Sequence, residues 1–544
     1  MSIWIVIIVL VGLFWIWVLS GLQNEKKKEK SFYQKWIGFD GKKPDAKKYV
    51  LDRDVYQKHI QDSNRIDEIT WNDLNMDLVF ERLDYTNSSI GEEMLYRMLA
   101  SPIFEKEQLK HRDEVISYFQ NNKEQRVKLQ IQFAKIGKTG RVSVFDMISF
   151  ADEMKDQGIR KDILVLILMG LTILTSFFYG KALIIFGVLL IYNFLNYINR
   201  KAKIGPYLAT YGYILRMMKE MDKLSVEEYP CLKIELQKML ECQNALKNFR
   251  KGAFIALHSN GTGSNPFDVI WYYLCMCFHF DLIKFYKMQN QLHSHENEIK
   301  LFFETAGMIE AYLSLSLFRE SIAHYCYPEF VNRNSLNCEE IYHPLIDHPV
   351  CNNLYDVQAM LLTGSNASGK STLLKTIAIN MIFAQTIATV LAESYQSDMG
   401  YVYSCMSLRD DITKGDSYFL AEIKALKRIM DASVSKPVFC FVDEVLRGTN
   451  TTERIAAATE ILKQLQNQCA FCMAATHDLE LTTLLDKEYE NYHFEETLLN
   501  DDVTFSYKLL KGAANTQNAI ELLRILGFSS SVIDNAKKRV NERK

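Results

Sequence analysis

The chain has 544 residues, 48% of them hydrophobic and 24% charged, with a formal net charge of −3. That is the composition of a globular protein with room for several domains, and its near-neutral balance excludes one that coats nucleic acid over its whole surface; any such contact must be local. Eleven cysteines follow no paired framework and suit a reducing compartment.

In chain order, residues 1–22 carry no ionisable side chain. At about 1.5 Å per residue, such a helix can cross a hydrocarbon core of about 30 Å. A cleaved signal peptide would open on a basic stretch, and this segment does not. Positive charge follows it instead: residues 23–62 hold eleven Lys/Arg against seven Asp/Glu. The positive-inside rule therefore predicts an anchor at 1–22, with the remainder of the chain on the cytosolic side of the cell membrane. Residues 23–64 read as a basic juxtamembrane linker, whose lysines suit anionic lipid better than DNA phosphates.

A helical region is expected from residue 65 to 160. A second apolar block then spans 163–198 and divides at Tyr179-Gly180-Lys181 into two uncharged runs of 17 residues. Arg160 and Lys161 flank it on one side, and Arg200, Lys201 and Lys203 on the other. The pattern predicts a membrane hairpin over 161–200. A helical hairpin buried in a soluble core is the alternative, but the runs lack a polar face.

Helices are expected again over 201–330. Within them "VIWYYLCMCF" (269–278) is too short to span and predicts an amphipathic or buried helix. "HSNGTGSNPF" (258–267) reads as a turn between long helices. His293 and His295 could ligate a metal, but without neighbouring acids or cysteines they read as a solvated helix face.

The C-terminal region, 331–544, carries the chemistry. "AMLLTG" (359–364) reads as a buried strand and "STLLKTIAINMIFAQTIA" (371–388) as a helix, with "GSNASGKS" between them. Strand, glycine-rich turn and helix is the context of a phosphate-binding loop. Glycines let backbone N–H groups approach the phosphates, and the helix N-terminus adds partial positive charge. The expected nucleotide contacts are Gly364, Asn366, Gly369, Lys370, Ser371 and Thr372. Lys370 reaches the β- and γ-phosphates of ATP, and the Ser371 hydroxyl binds Mg²⁺.

About seventy residues downstream, "KPVFCFVDEVLRGTNTT" (436–452) is an apolar strand ending in Asp443-Glu444. Asp443 is placed to hold Mg²⁺ and Glu444 to orient or deprotonate the attacking water. A plain helix cap would use the same pair, but not in this position relative to a phosphate loop. "CAFCMAATHD" (469–478) is a third apolar strand and ends at Thr476-His477. Its Cys469 and Cys472 read as strand residues, not as a zinc or redox pair. In this His477 resembles ABC-type ATPases, where a His just past such a strand commonly senses the γ-phosphate, and its order in the chain strengthens the signal.

Four segments, "TGSNASGKST", "GDSYFLAEI", "DEVLRGTNTT" and "ATHDLEL", in this order and spacing, resemble the MutS ATPases of DNA mismatch repair. "YHPLI" (342–346) sits upstream as a His-Pro pair does in that family. Residues 507–540 resemble its closing segment, and 88–119 and 308–330 its core and lever helices. The resemblance implies an ABC-type α/β ATPase domain preceded by a mainly helical lever region, here carrying transmembrane helices. It also implies a homodimer in which Ser417 of one subunit reaches the nucleotide of the other, and duplex DNA, mismatched or branched, between the levers.

Several residues depart from the family pattern. Ser365, Ala367 and Ser368 replace Pro, Met and Gly in the loop, Tyr418 replaces a Thr, and Glu453-Arg454 replaces Asp-Gly. None of these removes a catalytic group; they suit a divergent, membrane-anchored branch. The mismatch-reading domain with its Phe-x-Glu wedge is not expected. Phe302-Phe303-Glu304 has the letters, but it reads as helix packing. An ATP-driven membrane machine acting on an unidentified protein partner, without DNA, is the alternative reading.

Overall fold

The computed structural model describes residues 20, 23, 24, 26–41, 56, 62–139, 143–146, 159–257, 266–365, 368–406, 418–446, 450–499, 502–514 and 527–541. The expected 1–22 anchor lies almost wholly outside them, as does most of the 258–267 turn.

The helices used below are α1 (Glu68–Asp73), α2 (Met76–Leu83), α3 (Ser89–Ala100), α4 (Lys106–Asn121), α5 (Lys123–Ile136), α6 (Ile159–Ser176), α7 (Ala182–Met221) and α8 (Lys233–Ala245). They continue as α9 (Pro266–Phe278), α10 (Phe280–Ser294), α11 (Glu296–Glu320), α12 (Lys370–Thr386), α13 (Tyr418–Ser433) and α14 (Thr451–Gln468). The strands are β1 (Glu329–Phe330), β2 (Leu336–Ile341), β3 (Asn352–Val357), β4 (Ala359–Thr363), β5 (Ser394–Ser397), β6 (Tyr401–Cys405), β7 (Val438–Asp443), β8 (Phe471–Ala475), β9 (Glu490–Leu499) and β10 (Asp502–Lys511). The chain divides into two compact units.

The first unit comprises 1–59, 85–95 and 115–317 and is helical where described. Its apolar block folds as the hairpin α6–α7, turning on either side of Tyr179-Gly180-Lys181, where the sequence breaks. The turn is closed by Phe178 N–H to Thr175 O (3.0 Å) and Ala182 N–H to Tyr179 O (2.9 Å). Its large apolar side chains face outward: Leu174, Phe178 and Ile184 are 63%, 85% and 69% exposed. Over Ala182–Gly205 the mean hydropathy is 1.7, and only 11% of the most apolar window is buried. Residues 269–278 are helical as expected, within α9. Phe302 and Phe303 are fully buried on α11, and Phe303 packs edge-on against Phe145 at 6.1 Å, so this stretch is helix packing.

The second unit comprises 60–84, 96–114 and 318–544. Its six-stranded sheet has the order β10-β9-β4-β8-β7-β6, parallel except for the β9–β10 hairpin. The central strands read AMLLT, VFCFVD and FCMAA and are buried at every position. Continuous apolar runs of this kind are what a parallel sheet covered on both faces requires. Leu362 and Asp443 both register with Ala475, so the C-terminal ends of β4, β7 and β8 are level. A smaller sheet has the order β1-β5-β2-β3.

The N-terminal segment of this unit buttresses the large sheet. The Thr70 hydroxyl accepts from Ser404 N–H (3.0 Å), and the Asp73 carboxylate accepts from the Ser404 hydroxyl (2.7 Å) and Met406 N–H (2.9 Å). Arg428 on α13 pairs with Asp67 and donates to Ser404 O at 2.6 Å. Arg319, 2% exposed, donates to Thr389 Oγ1 (2.9 Å), Ala388 O (2.9 Å) and Asp113 (2.6 Å). All eleven cysteines are free thiols.

Candidate functional site

The site is built where β4, β7 and β8 end. In a parallel sheet that edge is where loops converge and ligands bind. After β4 the chain turns through Gly364 (φ +145°) and enters α12 through Gly369 (φ +105°). A side chain at Gly364 would bring a Cβ to 2.9 Å from Ser368 Oγ, and one at Gly369 to 3.1 Å from the Tyr507 ring. Both glycines are therefore required by conformation and by space.

Lys370 is buried, and its ammonium donates to Gly364 O and Ser365 O, both at 2.8 Å. This holds the cation at the mouth of the loop. The Ser371 hydroxyl lies 2.5 Å from Asp443 Oδ2. A hydroxyl and a carboxylate oxygen from two elements, set side by side, form a hard donor pair that fits a magnesium ion. The Ser368 hydroxyl, 1% exposed and aimed at Gly364, has no hydrogen-bond partner among the described residues. It is a spare donor suited to a phosphate oxygen.

Beyond β7 the backbone takes a left-handed turn at Glu444 (φ +59°) and Leu446 (φ +61°). The turn is fixed by Glu444 N–H to Ala475 O (2.8 Å) and by Leu446 N–H to the Glu422 carboxylate. Glu422 belongs to α13, so that helix secures the loop carrying the acid pair. His477, half-exposed, places Nδ1 3.3 Å from Glu444 Oε2. Lys370, Ser371, Asp443, Glu444 and His477 are thus brought together by three level strand ends. Thr372 lies in the first turn of α12. Asn366 and Ser417, also expected here, lie outside the described residues.

The loop bearing His477 is clamped from α14. Arg454 donates through Nε to Asp478 Oδ2 (3.0 Å) and through Nη2 to Oδ1 (2.7 Å), a two-pronged pair largely hidden from solvent. Arg454 is one of the departures from the family pattern, and its partner is the residue next to His477.

A cavity of about 360 Å³ lies beside the phosphate loop, walled by Tyr342, His343, Ile346, Phe494 and Tyr507 with Gly369 and Thr372 at its edge. Asn352 fixes its far wall by donating to Tyr507 O (3.1 Å) and accepting from Leu509 N–H (2.8 Å). Burial, and then the neighbouring Lys375 ammonium, push the His343 imidazole down to about 4. The ring is therefore neutral at physiological pH. Apolar and aromatic walls next to a phosphate loop suit a nucleotide base. Of these residues the sequence signalled Gly369 and Thr372 in the phosphate loop and the stretch 342–346, but not Phe494 or Tyr507.

Residues 360–544 match the family model of MutS domain V. The chain is 30% identical to human MutS protein homolog 4 over 270 residues, which is 46% of this chain and 28% of that protein. It is 27% identical to mouse MutS protein homolog 4 over 344 residues, 60% of this chain and 34% of that one. The matches span about a third of the length of these relatives. The phosphate loop, acid pair and histidine occupy the strand ends of the segment that matches MutS domain V, so the likeness to that family includes the residues of the site.

Proposed function

We propose that the chain is a membrane-anchored MutS-family ATPase. It binds and hydrolyses ATP in a homodimer and couples that cycle to movement of its helical region on mismatched or branched duplex DNA. The observation that carries this reading is the meeting of Lys370, Ser371, Asp443, Glu444 and His477 at one sheet edge. Lys370 and the N-terminal amides of α12 bind the phosphates. Ser371 and Asp443 would hold Mg²⁺, which neutralises phosphate charge when bound. Glu444 accepts the proton of the attacking water, and His477 beside it orients the acid toward the γ-phosphate. The aromatic cavity takes the base.

The exposed α6–α7 hairpin supports the membrane reading, with the ATPase unit in the cytosol. α11 has similar length and hydropathy but is 83% buried over its most apolar window, so it serves a protein core.

The test uses the full chain in detergent. Glu444→Gln retains ATP and loses phosphate release by about a hundredfold or more; unchanged release would sink the catalytic assignment. Lys370→Ala loses nucleotide binding itself. Duplex and junction DNA then bind with an affinity that falls steeply with salt, at a slope set by the phosphates contacted. Absence of DNA binding, with and without ATP, favours a second reading in which the machine acts on a protein partner. The net charge of −3 favours that reading.

A further inference from the structure

The α9–α10 corner of the helical unit presents a second apolar surface beside the hairpin. Ile270, Tyr273 and Leu274 are 58%, 58% and 39% exposed. Their spacing of three and four places them on one face of α9. The other face is packed: Cys275 and Met276 are buried, and the Tyr272 ring meets Tyr197 of α7 at 6.2 Å. Phe280, 39% exposed, opens α10 and stacks on Phe278 (5.5 Å) and Trp271 (6.2 Å).

Hydrogen bonds fix the level of this corner along the hairpin. Asn193 Nδ2 of α7 donates to Cys277 O at 2.7 Å. His279, buried in the left-handed region (φ +55°), bridges Asp162 Oδ1 and Asn193 O, each at 3.0 Å. Asp162 also accepts from Arg200 at 2.6 and 2.8 Å. Asp281 accepts from Tyr197 (2.8 Å) and Lys201 (2.7 Å). The corner is thus bolted to the foot of the hairpin. From Asp162 to the end of α6 is about 21 Å, and from Asn193 back to the start of α7 about 17 Å. A hydrocarbon core is about 30 Å thick. The apolar rods beyond the corner are too short to be the whole of the lipid-facing surface.

We propose that the exposed face of α9, with Phe280, is a lipid-contacting shelf that seats at the headgroup–acyl boundary and sets how deep the α6–α7 hairpin enters the bilayer. The proposal rests on the membrane reading of that hairpin. Three observations select a bilayer as the occupant. Ile163, Leu164, Leu195 and Ile198 at the hairpin foot, next to or near Asp162, Asn193 and Tyr197 that bond to the corner, are exposed as well. Its mixture of aromatic and aliphatic side chains is that of a membrane interface. The exposed cations begin where it ends, with Arg160 and Lys161 before α6 turns apolar, Lys203 on α7 and Lys287 two turns after Phe280. Such an order of apolar rods, aromatic shelf and basic collar suits anionic headgroups, with the exposed Lys181 at the hairpin turn.

The test places a photo-crosslinking benzoylphenylalanine at position 178, 273 or 234 of the full chain. The protein is reconstituted in vesicles of phosphatidylethanolamine and phosphatidylglycerol. Position 234 is an exposed apolar site on α8, which follows the far end of α7. Lipid adducts at 178 and 273, and none at 234, support the shelf. An adduct at 178 without one at 273 overturns the shelf and leaves the hairpin reading intact. A crosslink from 273 to a second copy of the chain overturns it in favour of a protein interface. Loss of lipid adducts at both 178 and 273 overturns the shelf and the membrane reading together.

Discussion

Two helical stretches among the described residues, Ala182–Gly205 and Glu296–Glu320, are long and apolar enough to cross a membrane, yet 11% of one window is buried and 83% of the other. What separates them is the polar minority. On α11, Glu310 accepts from Asn87 N–H (2.5 Å), Ser88 N–H (3.2 Å) and the Ser88 hydroxyl. Ser314 Oγ accepts from Tyr85 N–H at 2.7 Å. Gly307 lets the backbone carrying Ile90 and Met94 approach, since a Cβ there would sit 2.6 Å from Ile90 O. On the apolar part of the hairpin the hydroxyls serve their own helix, as Thr175 does toward Leu171 O at 2.9 Å. On α11 the polar and small residues matched to a partner run along the helix, whereas in Ala182–Gly205 the described ones begin only at Asn193, toward the foot of the hairpin.

Substitutions rank along this contrast. Glu310→Ala strips three donors of their acceptor and should cost about 3 kcal/mol in denaturant unfolding of the detergent-solubilised chain. Gly307→Leu forces a side chain against Met94 and Ile90 and should cost about 2 kcal/mol by the same assay. Leu174→Asn with Ile185→Asn should change that stability by about 0.5 kcal/mol or less, while weakening insertion of the hairpin into vesicles read by protease protection. If this pair costs as much as Glu310→Ala, the hairpin is buried in an assembly and the contrast collapses. Thr175→Val removes only a bond within one helix and should leave both readouts unchanged.

Much of the fold was legible where local pattern decides it. The uninterrupted apolar runs of β4, β7 and β8 announce a parallel sheet, and the motifs at their ends announce the loop, the acid pair and His477. The hairpin break at Tyr179-Gly180-Lys181 was visible because no charge blurs its flanking runs. What stayed hidden depends on partners far along the chain. Asp73 holds Ser404 and Met406 from more than 330 positions away, and no periodicity reports such a pair. The cavity beside the phosphate loop needs Phe494 and Tyr507 from the β9–β10 hairpin, which adds the last two strands of the sheet in chain order. Arg454 looked like a loss of Gly; only geometry shows it gripping Asp478.

The length of α7 has a mechanical consequence. Forty residues in one helix make a rod of about 60 Å, along which a tilt of about 10° at one end is a swing of about 10 Å at the other. Pro206 sits inside it and has no N–H to donate, so the ladder lacks a rung there, and Gly205 beside it has open space around its Cα. The missing rung comes a few residues after Arg200 and Lys201, whose ion pairs reach Asp162 and Asp281. Beyond it Tyr207 and Tyr211 meet Phe285 at 6.4 and 5.1 Å, so α10 braces α7 on both sides of the break.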